Sequence, residues 1–359
     1  MKKVLISMLQ LHLNNGTARN MRENIEYFKA RNYEVHIVAM TINYQIFGQM
    51  GVTLHKTLPW IKSTGLWRRK WYDFQVQRLR KQLKPDLTLG HGDIQDQDVL
   101  SLHNSVFLAS ELIHGKPLSP DHEMAVTHGD QLRKQKFKKM IANSQLMKDD
   151  TVKRFAVPAE KIVVVYPSYN RFKFFPKPQE RSALRERFKF PDKVIVALVT
   201  SGNFKKRGLD LFIEAIHQLP QDVLEKVSFR VVGKDEAKQY LDEKVTFDPS
   251  LSDIENYYNA IDVMVLPARF EEFGRVVLES MGCGLTVITT DKVGVSELIQ
   301  GESREFVIPA ASVKPLAEAL KKLIMDSALR ERLGKLNLES AKVAGEDRLN
   351  ARFDEVFLP

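Results

Sequence analysis

Cysteine is nearly absent from this chain of 359 residues: Cys283 stands alone. No internal disulfide can form, and a reducing compartment fits. Long apolar runs are missing as well. No stretch of eighteen or more apolar residues occurs, so no membrane-spanning helix is expected. The N-terminal MKKVLISMLQLHLNN is broken by Ser7, Gln10 and His12 and has no small-residue cleavage site. It reads as a first buried strand rather than a leader. No G-x-G-x-x-G follows an apolar run, which counts against a nicotinamide-dependent dehydrogenase. No set of Asp or His residues has convincing metal-ligand spacing, so no metal is expected. Internal repeats and low-complexity tracts are also lacking.

What is present is ordinary in amount and uneven in place. Hydrophobic residues make up 43% and charged residues 28%, as in a soluble globular protein. The length favours two domains over one core. The net charge of +9 divides into +12 over residues 1–180 and −3 over the remainder. A basic N-terminal half suits an anionic partner: nucleic acid, an anionic membrane surface or a phosphorylated substrate.

Short apolar runs alternate with amphipathic stretches. In the first half they fall at 4–9, 35–40, 87–92, 99–104, 140–144 and 162–167. In the second half they fall at 194–200, 227–232, 245–247, 263–268, 285–290 and 306–310. Most are near-continuous rather than alternating, as strands buried on both faces are. Helical patterns at 18–31, 209–218, 254–260 and 276–281 separate many of them. Strand–helix alternation predicts parallel sheets with right-handed crossovers. Two such series predict an α/β chain of two Rossmann-like domains. The break lies in the Pro-rich stretch 167–180, giving domains 1–170 and 171–339. The tail from about 316 to 357 reads as helices, and the helix at about 340–359 is expected to pack back on the first domain. Ligands of such sheets bind outside the carboxyl ends of the strands, and the expected site is the cleft between the domains.

The stretch FEEFGRVVLESMGCG, 270–284, carries the sharpest chemistry. Glu271 falls in a loop after a strand. Gly274 opens a helix, whose free N–H groups favour an anion. Glu279 lies inside that helix. The order reads hydroxyl-reader, anion cradle, hydroxyl-reader. The plainer alternative is a solvated loop, Glu271 and Glu272, followed by a solvated helix face.

This segment resembles the signature of family-4 glycosyltransferases, retaining enzymes of the GT-B fold. In that pattern the two glutamates fall on Glu271 and Glu279. Thr286 stands where the family usually has Pro. SGNFKKRGLDLFIEAI, 201–216, resembles the family's phosphate-binding segment and contains Gly202, Lys205, Lys206 and Arg207, with Arg207 in place of the usual Lys. FRVVGK and VTFDP resemble further family segments, which puts Gly233 beside the ligand and the nucleotide base near Thr246 and Phe247. After the first strand the family often has Gly-Gly; here Asn15 precedes Gly16 and Thr17. The family often keeps a His or Asp where His103 ends VLSLHN, and His91 is a competitor at another strand end.

The resemblance implies a donor that is a nucleotide-diphosphate sugar, UDP-linked by preference, and no cofactor or metal. Glu279 would hold the ribose and Glu271 the donor sugar. Lys206, Arg207 and the backbone amides near Phe273 and Gly274 would hold the diphosphate, with Gly16 also near the phosphate and Thr17, Gly202 and Arg275 among the donor-binding residues. Cations there would stabilise the charge that grows on the leaving diphosphate. His103 would act on the donor sugar from the first domain, which binds a glycan or lipid-linked acceptor. The narrower likeness is to lipopolysaccharide-core glucosyltransferases. A sugar-nucleotide epimerase and a non-catalytic nucleotide-sugar-binding partner are the alternatives.

The stretch 58–85 holds all three tryptophans, Trp60, Trp67 and Trp71, among Arg and Lys. It suits an anionic membrane interface, single-stranded nucleic acid, or a helix whose aromatics pack on the core. RKQKFKK, 133–139, adds a second basic run. The expectation is a cytoplasmic enzyme, peripheral on the inner face of the cytoplasmic membrane, with no nucleic-acid partner.

Overall fold

A computed structural model describes residues 1–11, 16–59, 65–200, 202–234 and 243–358. The chain divides into two units. One is 1–166 with 349–359, and the other is 167–348. The strands, in chain order, are β1 (Lys3–Ser7), β2 (Gln10–Leu11), β3 (Glu34–Ala39), β4 (Thr41–Ile42), β5 (Thr53–Lys56), β6 (Leu87–Gly90), β7 (Val99–Ser101), β8 (Lys139–Ala142) and β9 (Ile162–Val164) in the first unit. The second unit has β10 (Val194–Val199), β11 (Val227–Gly233), β12 (Val245–Pro249), β13 (Val263–Leu266), β14 (Thr286–Thr290) and β15 (Val307–Ile308).

The first unit's main sheet runs β5-β3-β1-β6-β7-β8-β9, and the second unit's runs β12-β11-β10-β13-β14-β15. All recorded pairings in both are parallel. In each, the chain adds strands outward on one side of a founding strand and then crosses to the other side. The founding strands are β1 and β10, and the switch points lie at β1/β6 and β10/β13. Each therefore has a crevice at the carboxyl ends of those two strands. Every apolar run read from the sequence forms a strand. β5 was not foreseen: TLHK is an edge strand with exposed or half-buried side chains, so burial leaves no apolar mark on it.

Core packing explains the unit boundaries, which differ from 170 and 339. Val165 packs in the first core, while Tyr169 donates its N–H to Ala344 in the second unit. The last helix, Glu346–Phe357, enters the first unit with Leu349, Phe353, Val356 and Phe357 buried. Phe353 and Phe357 meet Tyr27 at ring separations of 5.2 Å each. Tyr27 Oη and Arg31 Nη2 both donate to Asp354, at 2.7 and 2.6 Å. Burying each aromatic contributes about 1.5–3 kcal/mol. The second core gathers Phe212, Phe229, Leu316, Leu320 and Leu323 about the sheet.

Candidate active site

In the second unit the switch point is built from two loops. One, 202–208, follows β10; the other, 267–274, leaves β13. Gly208 permits their approach. Its φ is +74°, and a Cβ there would sit 2.1 Å from the Pro267 carbonyl oxygen. Arg269 ties the loops further: its N–H donates to the Lys206 carbonyl at 2.9 Å, and its guanidinium grips Asp210 at 2.8 and 2.7 Å. The 267–274 loop is also laced to 292–295. Glu271 N–H donates to Lys292 O, Gly294 N–H to Glu271 O, and Val295 N–H to Phe273 O.

This scaffold brings four charges together. Arg207 Nη1 lies 2.6 Å from Glu271 Oε2. Lys206 Nζ lies 3.4 Å from the same oxygen and 2.7 Å from Glu272 Oε2. Burial pushes the Glu271 carboxyl up, and Arg207 and Lys206 oppose the shift. Glu272 is the residue that sequence reasoning missed. It is only 9% exposed and binds Lys206, so it is no solvated loop residue. The available signal was a Glu-Glu pair and a Lys-Lys-Arg run in the two loops that this topology must bring together.

The helix Arg275–Gly282 starts where expected, capped by Gly274 at φ +93°. Glu279 is half-buried on it, and its charge helps to raise Tyr258 and Cys283, whose largest perturbation is burial. Arg275 donates to the Ser168 carbonyl. Phe273 is buried. Gly202 has a φ of +142° with open space beside it. Gly233 has a local reason: a Cβ would meet the Thr200 carbonyl oxygen at 2.4 Å. Thr246 is exposed on β12, and Phe247 packs against the core. Thr286 donates to the Arg330 carbonyl at 2.6 Å, a bond that Pro could not make. A cavity of about 430 Å³ opens at the opposite end of this sheet, beside Asp262 and Thr286, and the charge cluster does not line it.

The first unit's switch point has different contents. A cavity of about 190 Å³ is lined by Leu9, Arg69, His91, Asp93, His103 and His128 among others. The two histidines read as competitors touch: His91 Nδ1 lies 2.6 Å from His103 Nε2. His103 Nδ1 lies 3.0 Å from Asn20 Nδ2, and His91 Nε2 lies 3.4 Å from Asn24 Nδ2. Burial holds His91 well below the usual imidazole range, and it pushes His128 down to about 3. Arg69 pairs with Asp93, which also takes the Leu9 N–H at 2.8 Å. Gly16 and Thr17 begin the helix Gly16–Ala30, but their side-chain surroundings, like Asn15 and Trp60, lie outside the described residues. Asp96-Gln97-Asp98, a closely spaced acidic pair that the sequence reading passed over, is engaged by Arg80 and Lys138 at 2.7 and 3.0 Å. Among the described residues no group of three His, Cys, Asp or Glu could hold a metal ion.

Two family models match the chain. "Glycosyltransferase Family 4" covers residues 14–171, and "Glycosyl transferases group 1" covers residues 180–338. The D-inositol 3-phosphate glycosyltransferase of Streptomyces bingchenggensis is 25% identical over 238 residues, 61% of this chain and 52% of that protein. The lipopolysaccharide glucosyltransferase WaaG of Escherichia coli K12 is 28% identical over 202 residues, 53% of this chain and 54% of that one. These matches thus span about half the length of each curated relative. The crystal structure of WaaG, described as involved in lipopolysaccharide biosynthesis, superposes with a TM-score of 0.82 at 20% identity, covering 99% of this chain and all of that one. Anabaena HepE in complex with UDP and glucose superposes with a TM-score of 0.73 at 17% identity, covering 99% of each chain.

Proposed function

The chain belongs to the glycosyltransferases whose family models match its two halves, and from that premise we propose that it is a retaining, metal-independent hexosyltransferase. Its donor is a nucleotide-diphosphate sugar, UDP-linked by preference. Its acceptor is a glycan or glycolipid of a cell-surface polysaccharide, lipopolysaccharide among them. The observation that carries the reading is the charge cluster at the second switch point, where Lys206 and Arg207 are held by Glu271 and Glu272.

The diphosphate competes with the two carboxylates for Lys206 and Arg207. When it wins, Glu271 turns to the hydroxyls of the donor sugar. The glycosidic bond then breaks toward the phosphate, and the fixed cations stabilise the charge that develops there. The acceptor oxygen bonds to the anomeric carbon on the same face, and its proton passes to the leaving phosphate oxygen. No side-chain base is needed. Glu279 reads the ribose. The first unit's basic character suits a phosphorylated or lipid-linked acceptor.

Peripheral attachment to the inner face of the cytoplasmic membrane belongs to the same proposal. The helix Leu66–Leu83 exposes Trp67, Lys70, Phe74, Arg78 and Lys81 along one side. Leu58 is 68%, Trp67 63% and Phe74 58% exposed. Aromatic and basic side chains together suit an anionic lipid surface. Among the described residues no helix is long and apolar enough to cross a membrane.

The test is a thermal-shift series on wild type and Glu279→Ala with UDP, GDP and their hexose conjugates, followed by turnover with and without a chelator. Stabilisation by one nucleotide series, weakened in the variant and accompanied by turnover, is expected. A donor that stabilises without turnover favours a non-catalytic binding partner. No shift with any nucleotide overturns the donor site.

A further inference from the structure

The second unit holds a cavity that the charge cluster does not line. It measures about 430 Å³ and lies at the amino ends of β13 and β14, beside Asp262 and Thr286. Ligands of a parallel sheet gather at its carboxyl ends, so topology alone does not account for a pocket here. One wall is a face of the helix Ser327–Ala341, on which Ser327, Arg330, Gly334 and Leu338 recur every three or four residues. Pro176 and Pro178 add apolar surface. The volume falls within the roughly 300–1,000 Å³ of small-molecule sites.

Its charge is positive. Lys177, Arg181 and Arg330 line it against Asp262, while Lys335 and Glu331 neutralise each other at its exposed rim, 2.7 Å apart. Asp262 already serves three donors: Arg181 Nη2 at 2.8 Å, Arg185 Nη1 at 3.1 Å and the Ile195 N–H at 2.8 Å. Arg330 Nη1 donates to the carbonyls of Leu323 and Ile324, at 2.6 and 3.1 Å, and among the described residues no carboxylate pairs with it. Lys177 Nζ donates to Asn256 at 2.8 Å and reaches Glu180 only at 3.9 Å. Burial pushes the Arg181 guanidinium down; Asp262 opposes the shift, and Arg185 and Arg330 add to it. This surplus stands in a part of the chain, 181–359, whose net charge is −3. Tyr258 lines the same cavity, and its buried hydroxyl has no hydrogen-bond partner. A buried hydroxyl in that state is costly, and a ligand oxygen would supply the missing acceptor.

We propose that this cavity is a binding site for a small phosphomonoester, whose phosphate meets Arg330, Arg181 and Lys177 and whose organic body lies on Pro176, Pro178 and Leu338. A phosphomonoester carries a charge of about −1.5 to −2 at neutral pH, which matches three cations facing one carboxylate. A single carboxylate would leave part of that surplus. The planar guanidinium also fits phosphate oxygens two at a time. The site stands apart from the residues assigned to the donor, and it does not depend on the transferase reading.

The test is calorimetric titration of the full-length protein with phenyl phosphate, with inorganic phosphate and phenol as controls. Phenyl phosphate is expected to bind, inorganic phosphate to bind more weakly, and phenol not to bind at the same concentration. Arg330→Gln should weaken phenyl phosphate binding about tenfold. Arg330 also holds two carbonyls, so a second variant guards against a folding defect. Ser327→Trp, at an exposed position on the cavity wall, fills the space and should weaken binding at least as much. Tyr258→Phe removes a hydroxyl that has no partner, so it should bind several-fold more weakly without losing stability. Lys206→Ala should bind phenyl phosphate as wild type does. No binding to wild type at millimolar concentration overturns the proposal. Loss of binding in Lys206→Ala also overturns it, by putting the ligand on the charge cluster. Unchanged binding in Ser327→Trp and in folded Arg330→Gln overturns it as well. Equal binding of phenol or of inorganic phosphate overturns the ligand class, and unchanged affinity in Tyr258→Phe overturns the part given to that hydroxyl.

Discussion

In the second unit the crossing point of the sheet is filled with charge: two cations and two carboxylates joined by three ion pairs of 2.6 to 3.4 Å. In the first unit the corresponding point holds two hydrogen-bonded imidazoles, a third buried histidine and the Arg69–Asp93 pair. Both lie where a doubly wound parallel sheet leaves its crevice open. Topology therefore places a site in each unit, and the side chains give each a different task. The charged cluster can exchange partners with a polyanion. His91 and His128 can offer only neutral hydrogen bonds, because burial disfavours their charged forms.

The largest expected effect tests which unit carries the transition-state charge. Lys206→Ala removes a cation that the proposal assigns to the leaving diphosphate, and a loss in kcat on the order of 10²–10³-fold is expected. His103→Ala removes the hydrogen bond that the proposal gives it to the donor sugar, and about tenfold is expected. Steady-state kinetics of the two variants check the order. A larger loss at His103 would move the chemistry to the first unit.

Acid should separate the units next. Ordinary histidine titrates near 6.5, and His128 is pushed down to about 3. Its folded pKa lies below its unfolded one, so the unfolded chain binds the proton first. Its contribution is complete above about pH 6.5 and is lost as pH falls toward 3, by about 2 kcal/mol at pH 5. His91 acts in the same direction. Glu271 in the second unit has the opposite sign: its raised folded pKa gives a contribution present at low pH and lost as pH rises through that value. All three tryptophans belong to 58–85, so tryptophan fluorescence reports on the first unit. On going from pH 7.5 to 5, the fluorescence-detected melt should fall further than the melt followed by a donor-dependent shift. Equal falls would remove the contrast.

A third measurement addresses the scaffold. Gly208→Ala places a Cβ against a backbone carbonyl at positive φ. A destabilisation of about 1–3 kcal/mol is expected, with weaker donor binding because the two charged loops must part. Denaturant unfolding with and without nucleotide checks both. A variant that unfolds more easily yet binds donor normally would show that the loops are positioned by other contacts.

These expectations also mark what the sequence made legible. The β-strands of both cores announced themselves because burial on both faces leaves near-continuous apolar runs. β5 left no such mark, since an edge strand can keep polar side chains. Glu271, Lys206 and Arg207 were named through a motif, and the structure shows that they meet; Glu272, which joins them, pairs with Lys206 across 66 residues and carried no motif of its own. His91 and His103 were read as rivals, since each ends its own apolar run. Only strand pairing revealed them as partners. Gly233 reads from the sequence as approaching a ligand or closing a turn, and the structure adds a close Thr200 carbonyl that no local pattern announces. Local pattern finds elements and motifs; contacts between loops far apart in sequence need the topology first.

The smallest expected effect on stability concerns the exposed face of Leu66–Leu83. Tyr72 and Val76 are the buried residues of that helix, and Tyr72 Oη is fixed by Ser7 and the Val38 carbonyl. Those contacts attach the helix to the sheet without Trp67 or Phe74. Replacing both by Ser should therefore change stability by no more than about 0.5 kcal/mol. Lys70 sits over the Trp67 ring at 4.8 Å, and Trp71 stacks on Phe74 at 5.6 Å. The aromatic and cationic groups thus form one surface, and their loss should show only where that surface meets a partner. Sedimentation with phosphatidylglycerol vesicles should fall several-fold in the double variant. Binding to neutral phosphatidylcholine vesicles should be weak for both proteins, and salt should weaken the wild-type interaction. Equal sedimentation of the two proteins would leave this face as solvated surface. The first unit's excess positive charge would then have to serve the acceptor alone.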